Sequence, residues 1–356
     1  MKLNKTTLAT AVAATLALGM SSQAAASVYA ESYLEVSNLH VLASPFANVT
    51  IRNFTFDNII SAGLNNGPTA AVTISCNGKP GVPGPGTNNC GTGTTRLDAA
   101  AVNAAGSTVT RSNNVFTLNG PSANQYSNAD AVIWKAGLTG DTGPLQVGVD
   151  GSGAPIYIQV PTTHTEQIAE TEIQTGTVAA ASSVIDSITG FTFSFSTGAA
   201  GTLTVTMDAV QKMLAAINDP TGIDQNAQGT MVVSLRLSKD GASGNYVEFT
   251  PDGAGTGCND HSSTLGADLT CTSLLDPFSL NTQVGVTTDG TSDAQNNNGS
   301  FGVQFGLQGA ANWTMVLTQK TSTQVSRTAV PEPGALALLG IGLAGMGFVS
   351  RRRKTA

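Results

Sequence analysis

The sequence has 356 residues, of which 11% are charged and 5% aromatic, a composition typical of a chain that buries a globular core. Its formal net charge is −7, and its isoelectric point is near 4.9. Such an acidic chain is poorly suited to bind a polyanion, so we expect no nucleic-acid partner. Its three histidines leave little material for a histidine-rich metal centre, and the sequence assigns no metal ligand and no cofactor.

The first 26 residues have the three-part layout of a secretory signal peptide. Two lysines precede an apolar run over residues 8–20, and small and polar residues follow it. Ala24 and Ala26 provide the small side chains that signal peptidase accepts, so cleavage is expected after one of them, or at the latest after Ala30. Because the apolar run is shorter than the ~20 residues that cross a bilayer, it favours a cleaved peptide exported by the Sec machinery over a membrane anchor.

Near the other end, the sequence combines a short motif, an apolar segment and a basic cluster. The motif lies in residues 330–333 and consists of Pro331, Glu332 and Pro333. Residues 334–350 carry no charge and predict a single transmembrane helix about 25 Å long. The basic cluster in residues 351–356 should stay in the cytoplasm, which places the motif on the outer side. The basic side chains of this cluster are Arg351, Arg352, Arg353 and Lys354.

Together with the signal peptide, residues 330–356 resemble the PEP-CTERM sorting signal of exported proteins in Gram-negative, exopolysaccharide-producing bacteria. The resemblance rests on the motif, the apolar span and the basic end together, since a Pro-Glu-Pro tripeptide alone is not specific. It implies recognition by exosortase, a membrane-embedded cysteine protease or transpeptidase. It also implies a precursor held transiently in the inner membrane and a processed form at the cell surface or in the extracellular matrix. The alternative is an ordinary C-terminal membrane anchor.

The exported body, residues 31–329, has the alternating pattern of β-strands. Apolar side chains alternate with Thr, Ser and other polar residues over residues 33–42, 49–56, 191–195, 203–207, 231–237, 301–307 and 313–317. Residues 208–217 instead predict one short helix, capped by Asp208 and stopped before Pro220. We therefore expect a mainly β body, an antiparallel β-sandwich or jelly roll with one short helix. Residues 61–130 are less regular, and residues 78–84 within them predict an exposed loop. Residues 137–155 are glycine-rich and could separate two sub-domains, although no sharp boundary is present.

The four cysteines form two pairs that are close in sequence. Cys76 and Cys90 enclose one polar, glycine-containing segment, and Cys258 and Cys271 enclose another. In an exported protein this spacing predicts two local disulfides. A zinc site is the alternative, but the sequence has no C-x-x-C motif and only His261 lies nearby.

No catalytic motif stands out in the sequence, so we predict that the protein is not an enzyme. We expect a structural or adhesive role in the envelope or biofilm matrix, with exopolysaccharide as a candidate partner. A secreted hydrolase is one alternative, and it would require a pocket that gathers His40, His164 or His261 with carboxylates.

A glycan-binding module is the other alternative, and it would require an exposed aromatic platform or a calcium-lined groove. The aromatic candidates are Trp134, Trp313 and Tyr246, although the position of Trp313 on an apolar strand favours the core. Oxygen-bearing side chains in residues 218–226 and 289–298 are the calcium candidates. The same residue types are common turn formers, and we favour that interpretation.

Overall fold

The structure is a computed structural model. It describes residues 27–44, 50–64, 67–78, 96–122, 124–134, 144–149, 155–159, 164–174, 187–220, 222–241, 246–261, 269–329 and 341. Within these ranges there are 17 β-strands: β1 (Ser27–Ser44), β2 (Thr50–Ala62), β3 (Ala70–Gly78), β4 (Arg96–Asn103), β5 (Tyr126–Trp134), β6 (Pro144–Val149), β7 (Pro155–Gln159), β8 (His164–Gln174), β9 (Ser187–Thr197), β10 (Gly201–Asn218), β11 (Gly222–Lys239), β12 (Tyr246–Phe249), β13 (Cys258–Asp260), β14 (Leu269–Leu275), β15 (Thr282–Val286), β16 (Thr291–Leu307) and β17 (Ala311–Ala329).

The strands form two large antiparallel sheets that pack face to face, and a separate hairpin. Sheet 1 has seven strands in the order β14-β16-β10-β1-β8-β5-β4. Sheet 2 has eight, in the order β13-β12-β11-β17-β9-β2-β3, with β15 also paired to β11. Strands β6 and β7 pair only with each other. The prediction of a mainly β, antiparallel sandwich is confirmed.

The predicted helix over residues 208–217 is wrong, because this segment is the second half of β10. Its residues alternate between buried and less buried positions, and both edges of the strand are hydrogen-bonded, to β1 and to β16. Pairing on two edges satisfies the backbone groups that a helix would satisfy internally, so it overrides the local preference of Ala, Gln, Lys and Leu for a helix. Asp208, the predicted cap, instead accepts hydrogen bonds from Asn38 Nδ2 at 2.7 Å and Ser300 Oγ at 2.5 Å.

One part of the space between the sheets is filled by aromatic side chains. Phe191, Phe193 and Phe195 project from the same side of β9, and Phe56 stacks on Phe191 with 5.1 Å between the ring centroids. Trp313 of β17 is 1% exposed, and its indole nitrogen donates to Thr197 Oγ1 at 2.9 Å. The buried donor therefore has a partner, and Trp313 packs in the core as its strand pattern indicates.

Another part of the interior is crossed by hydrogen bonds between the sheets. Gln319 Oε1 of β17 accepts from Thr165 Oγ1 at 2.6 Å and from Gln167 Nε2 at 3.2 Å. The hydroxyl groups of Thr171 and Thr323 are 3.0 Å apart. Because buried polar groups are costly unless they are paired, these contacts favour one relative position of the two sheets.

Strand β1 begins four residues before the predicted start of the body at residue 31. Val28 and Ala30 are fully buried, and Ser27 is 6% exposed. Cleavage after Ala30 would remove this part of the core, whereas cleavage after Ala26 would leave β1 complete. The structure therefore favours Ala24 or Ala26 as the site, and the signal peptide itself, which lies outside the described residues, stays a prediction.

The disulfide between Cys258 and Cys271 is confirmed. It joins β13 of sheet 2 to β14 of sheet 1 and so connects the two layers at one edge. Cys76 is buried in β3, but Cys90 lies outside the described residues, and their pairing stays a prediction.

Replacing both Cys258 and Cys271 by alanine should lower the free energy of unfolding by about 3 kcal/mol, because the bond closes a short loop in the unfolded chain. Denaturant unfolding of the oxidised wild type and of the double variant measures this difference. The strand content in circular dichroism should be unchanged. An unchanged free energy of unfolding would show that this edge of the sandwich does not need the cross-link.

Candidate functional site

The outer face of sheet 1 carries a row of acidic and tyrosine side chains. In the pairing of β1 with β8, Glu31 lies opposite Glu170 and Glu35 opposite Glu166. Since alternate residues of a strand project to the same side, these groups share one face with the neighbouring β5. We call this surface the acidic face; it comprises Tyr29, Glu31, Tyr33, Glu35, Tyr126, Asp130, Glu166, Glu170 and Glu172.

Part of the acidic face is covered by residues 104–122, which follow β4 and which we call the arm. Its backbone donates to the buried carboxylates: Asn119 N to Glu170 Oε1 at 2.7 Å, and Ser122 N to Glu172 Oε1 at 2.8 Å. Glu170 and Glu172 are fully buried as a result. Their carboxylates therefore hold the arm to the sheet and face no solvent.

Arg111 is the cation of this covered region. Its guanidinium donates from Nη2 to Glu170 Oε2, and both side chains are almost completely buried, at 2% and 0% exposure. Nη1 also donates to the carbonyl of Thr117 at 3.1 Å. The backbone of Arg111 is held by the side chain of Asn103, which accepts from Arg111 N at 2.7 Å. The ion pair thus links the arm to the centre of sheet 1.

Burial raises the pKa of several carboxyl groups of the acidic face. The pKa of Glu31 rises to about 7 and that of Glu172 to about 7, because burial disfavours the charged form more than their hydrogen bonds favour it. Burial raises the pKa of Asp130 to about 6. The hydroxyl of Tyr29 donates to Glu31 and, at 2.8 Å, to Glu170, and burial holds the pKa of Tyr29 well above its ordinary value.

Beyond the arm, the acidic face is open and contains a mixed cluster of two carboxylates and an imidazole. His164 Nε2 lies 3.2 Å from Glu35 Oε1 and 3.9 Å from Glu166 Oε1. The hydroxyl of Tyr33 donates to Glu35 Oε2 at 3.0 Å and to Glu166 Oε1 at 3.4 Å. Burial raises the pKa of Glu166. These are the residue types that the hydrolase hypothesis requires, and only His164 among its three candidates contacts two carboxylates in the part of the chain described.

Of the other predicted residues, Trp134 of β5 lies opposite His164 in the strand pairing, whereas His40, His261, Tyr246 and Trp313 lie apart from this cluster. His261 Nε2 is 3.6 Å from Glu248 Oε2, and its ring stacks on Tyr246 with 4.6 Å between centroids. His40 is an exposed residue of β1. Since Trp313 is buried, it does not form an exposed platform with Tyr246.

The side chains that were candidate calcium ligands form ion pairs and hydrogen bonds with other groups of the protein. Asp219 is fully buried, and its Oδ2 lies 2.7 Å from Arg327 Nε. Asp289 Oδ1 accepts from Asp219 N at 2.6 Å, and Asp293 Oδ2 accepts from Gly285 N at 3.1 Å. Asp219 and Asp289 lie between strands, as the turn-former interpretation predicts. That interpretation is wrong for residues 224, 226, 293 and 296–298, which lie within β11 and β16.

The predicted sorting residues lie outside the described part of the chain: Pro331, Glu332, Pro333, Arg351, Arg352, Arg353 and Lys354. Among the residues that are described, no helix is long and apolar enough to cross a membrane.

The family model of the PEP-CTERM protein-sorting motif matches residues 329–354. The chain therefore carries a PEP-CTERM protein-sorting motif near its C-terminal end. This motif implies exosortase as the sorting partner and an exported, membrane-anchored precursor. No curated protein and no solved structure matches it at a significant level.

Sequence reasoning missed the covered part of the acidic face of this PEP-CTERM protein. Two signals could have found it. Arg111 is the only charged residue between Asp98 and Asp130, in a stretch whose sequence pattern is irregular. Glutamates also recur at even positions in residues 166–172, which indicates one acidic strand face. Neither signal identifies its partner, because the contact joins residues that are 59 positions apart.

Proposed function

We propose that this PEP-CTERM protein is released by exosortase to the cell surface or the extracellular polysaccharide matrix, where it acts without catalysis as a structural or adhesive component. The sorting motif at residues 329–354 is the observation that carries the proposal. It also leads us to expect a Gram-negative host that secretes exopolysaccharide.

The body supports a structural role in two ways. Its two layers are connected by a disulfide and by buried hydrogen bonds between β8 and β17, which suits a protein exposed outside the cell. The buried carboxylates of the acidic face are bonded to the arm, which makes them structural groups. After removal of both signals, the body carries 10 basic and 22 acidic side chains, and this net negative charge favours solubility.

Replacing Pro331, Glu332 and Pro333 together by alanine should stop release and leave the full-length tail in the inner membrane, because exosortase would no longer recognise the motif. Intact-mass measurement of protein from membranes and from the surrounding matrix of the native host checks this result. In a host without exosortase, the wild type and the variant should give the same species. Release of the variant at the wild-type level would contradict the sorting role of the motif.

The structural or adhesive role needs a separate experiment. A deletion strain should lose surface attachment or matrix cohesion, and the wild-type gene should restore it. The motif variant should not restore it, since its body stays in the membrane. Full restoration by the variant, or release of sugars when the purified protein is incubated with host exopolysaccharide, would contradict the proposed role.

A further inference from the structure

We propose that Glu35, His164 and Glu166 bind one divalent transition-metal ion, of which zinc is the representative probe. Each side chain offers one ligand atom, and the three atoms all lie within 4.8 Å of one another. The ligands come from two adjacent hydrogen-bonded strands, β1 and β8. Their separation is therefore set by the sheet, and no loop has to move to assemble the site.

The spacing of the ligand atoms fits an ion between them. Zinc binds nitrogen and carboxylate oxygen at about 2.0–2.2 Å, so two neighbouring ligands of a tetrahedral site are roughly 3.3–3.6 Å apart. The measured separations from His164 Nε2 are 3.2 Å to Glu35 Oε1 and 3.9 Å to Glu166 Oε1. Shifts of a few tenths of an ångström bring these two separations into the tetrahedral range, and the third pair of ligand atoms lies within 4.8 Å.

The ligand set selects the class of ion. Calcium and magnesium prefer sites made of oxygen, whereas an imidazole nitrogen beside carboxylates suits zinc and other first-row transition metals. Two carboxylates and a neutral imidazole also supply the two negative charges that neutralise a divalent ion.

Tyr33 acts as a positioning residue beneath the site. Its hydroxyl has a single hydrogen, which it donates mainly to Glu35 Oε2 at 3.0 Å and shares with Glu166 Oε1 at 3.4 Å, so it orients the two carboxylates relative to each other. Lys212 Nζ lies 5.3 Å from the centre of the Tyr33 ring and is the nearby competing cation. A divalent ion carries twice the charge of the Lys212 ammonium group and bonds directly to the ligand atoms. Zinc should therefore bind even though Lys212 is nearby.

The side chains of the site are partly exposed, although the Nε2 atom of His164 itself is buried. The side chains of His164, Glu35 and Glu166 are 37%, 26% and 21% exposed. Three protein ligands and this exposure leave at least one coordination position for water or an external anion, as in open zinc sites.

Calorimetric titration of the untagged full chain with zinc chloride, in a buffer that does not bind metals, tests the proposal. The wild type should bind one zinc ion per chain. Glu35→Gln and His164→Gln, which change ligands on different strands, should each weaken binding by at least about 100-fold. Tyr33→Phe should weaken it by about tenfold, as expected for a group that orients ligands.

His261→Gln is the matched control, because His261 also lies beside a glutamate but has only that one carboxylate partner among the described residues in reach of its Nε2. Its zinc affinity should equal that of the wild type. Circular dichroism and thermal unfolding without zinc check that each variant is folded. Absence of saturable one-to-one binding, unchanged affinity in both ligand variants, or an equal loss in His261→Gln would overturn the proposal.

Discussion

Replacing Arg111 by methionine is expected to lower the free energy of unfolding by about 3–5 kcal/mol. The change removes the cation that pairs with Glu170, a carboxylate that is fully buried and that also holds Asn119 of the arm. Methionine fills a volume similar to that of arginine. The decrease in the free energy of unfolding should therefore come mainly from leaving the Glu170 carboxylate buried without its cation. Denaturant unfolding with the disulfides intact measures it.

The exposed ion pair between Arg52 and Asp240 provides the matched control, with side chains that are 45% and 32% exposed. Arg52→Met should change the free energy of unfolding by less than about 1 kcal/mol, because water solvates the remaining carboxylate. The double variant Arg111→Met/Glu170→Gln should recover part of the loss caused by Arg111→Met alone. Equal effects of the two arginine changes would show that the arm contributes little to stability.

Stability is expected to fall as the pH rises from about 4.5 to about 7. In the folded protein, the pKa of Glu31 and that of Glu172 are each raised to about 7 by burial, whereas in the unfolded chain they lie near 4.5. Between these values the folded state holds more protons than the unfolded state, so the free energy of unfolding decreases with rising pH. Each group should contribute about 2–3 kcal/mol over this range. Its contribution should become constant only above about pH 8, where the folded state has also lost its proton.

Replacing a glutamate by glutamine, which cannot ionise, separates the pH dependence caused by that glutamate from the effect of general charge repulsion. Glu31→Gln and Glu172→Gln should each make the decrease between pH 4.5 and pH 7 smaller, whereas Asp260→Asn, at an exposed position, should leave it unchanged. Guanidinium chloride unfolding across the pH range provides the measurement, because its high ionic strength screens long-range repulsion. A stability that rises with pH in the wild type would contradict the raised pKa values.

The strands could be predicted where apolar and polar residues alternate. Residues 191–195 and 313–317 lie in β9 and β17, as their pattern indicates. In residues 208–217 burial still alternates, but the residue types do not, because Gln211 is buried whereas Val210 and Leu214 are on the less buried side. The local preference for a helix is worth only tenths of a kcal/mol per residue. Pairing with β1 and β16 outweighs it, and these strands are far from residues 208–217 in sequence.

The candidate site could be predicted only in part. His164 stood out because histidines are rare in this chain, but nothing in the sequence connects it to Glu35, which is 129 positions earlier. Their proximity follows from the antiparallel pairing of β1 with β8. The burial of Glu170 likewise depends on the arm, whose sequence is typical of an exposed loop.

The sequence by itself identified the sorting motif, because such a motif is a short contiguous segment that its residue types are sufficient to define. The sandwich class also follows from local alternation. Only the tertiary structure decided which carboxylates are covered by the arm and which lie open around His164. Those environments depend on strand order and register, which set distances between side chains that are remote in the chain, and burial and pairing at those distances control charge and metal affinity.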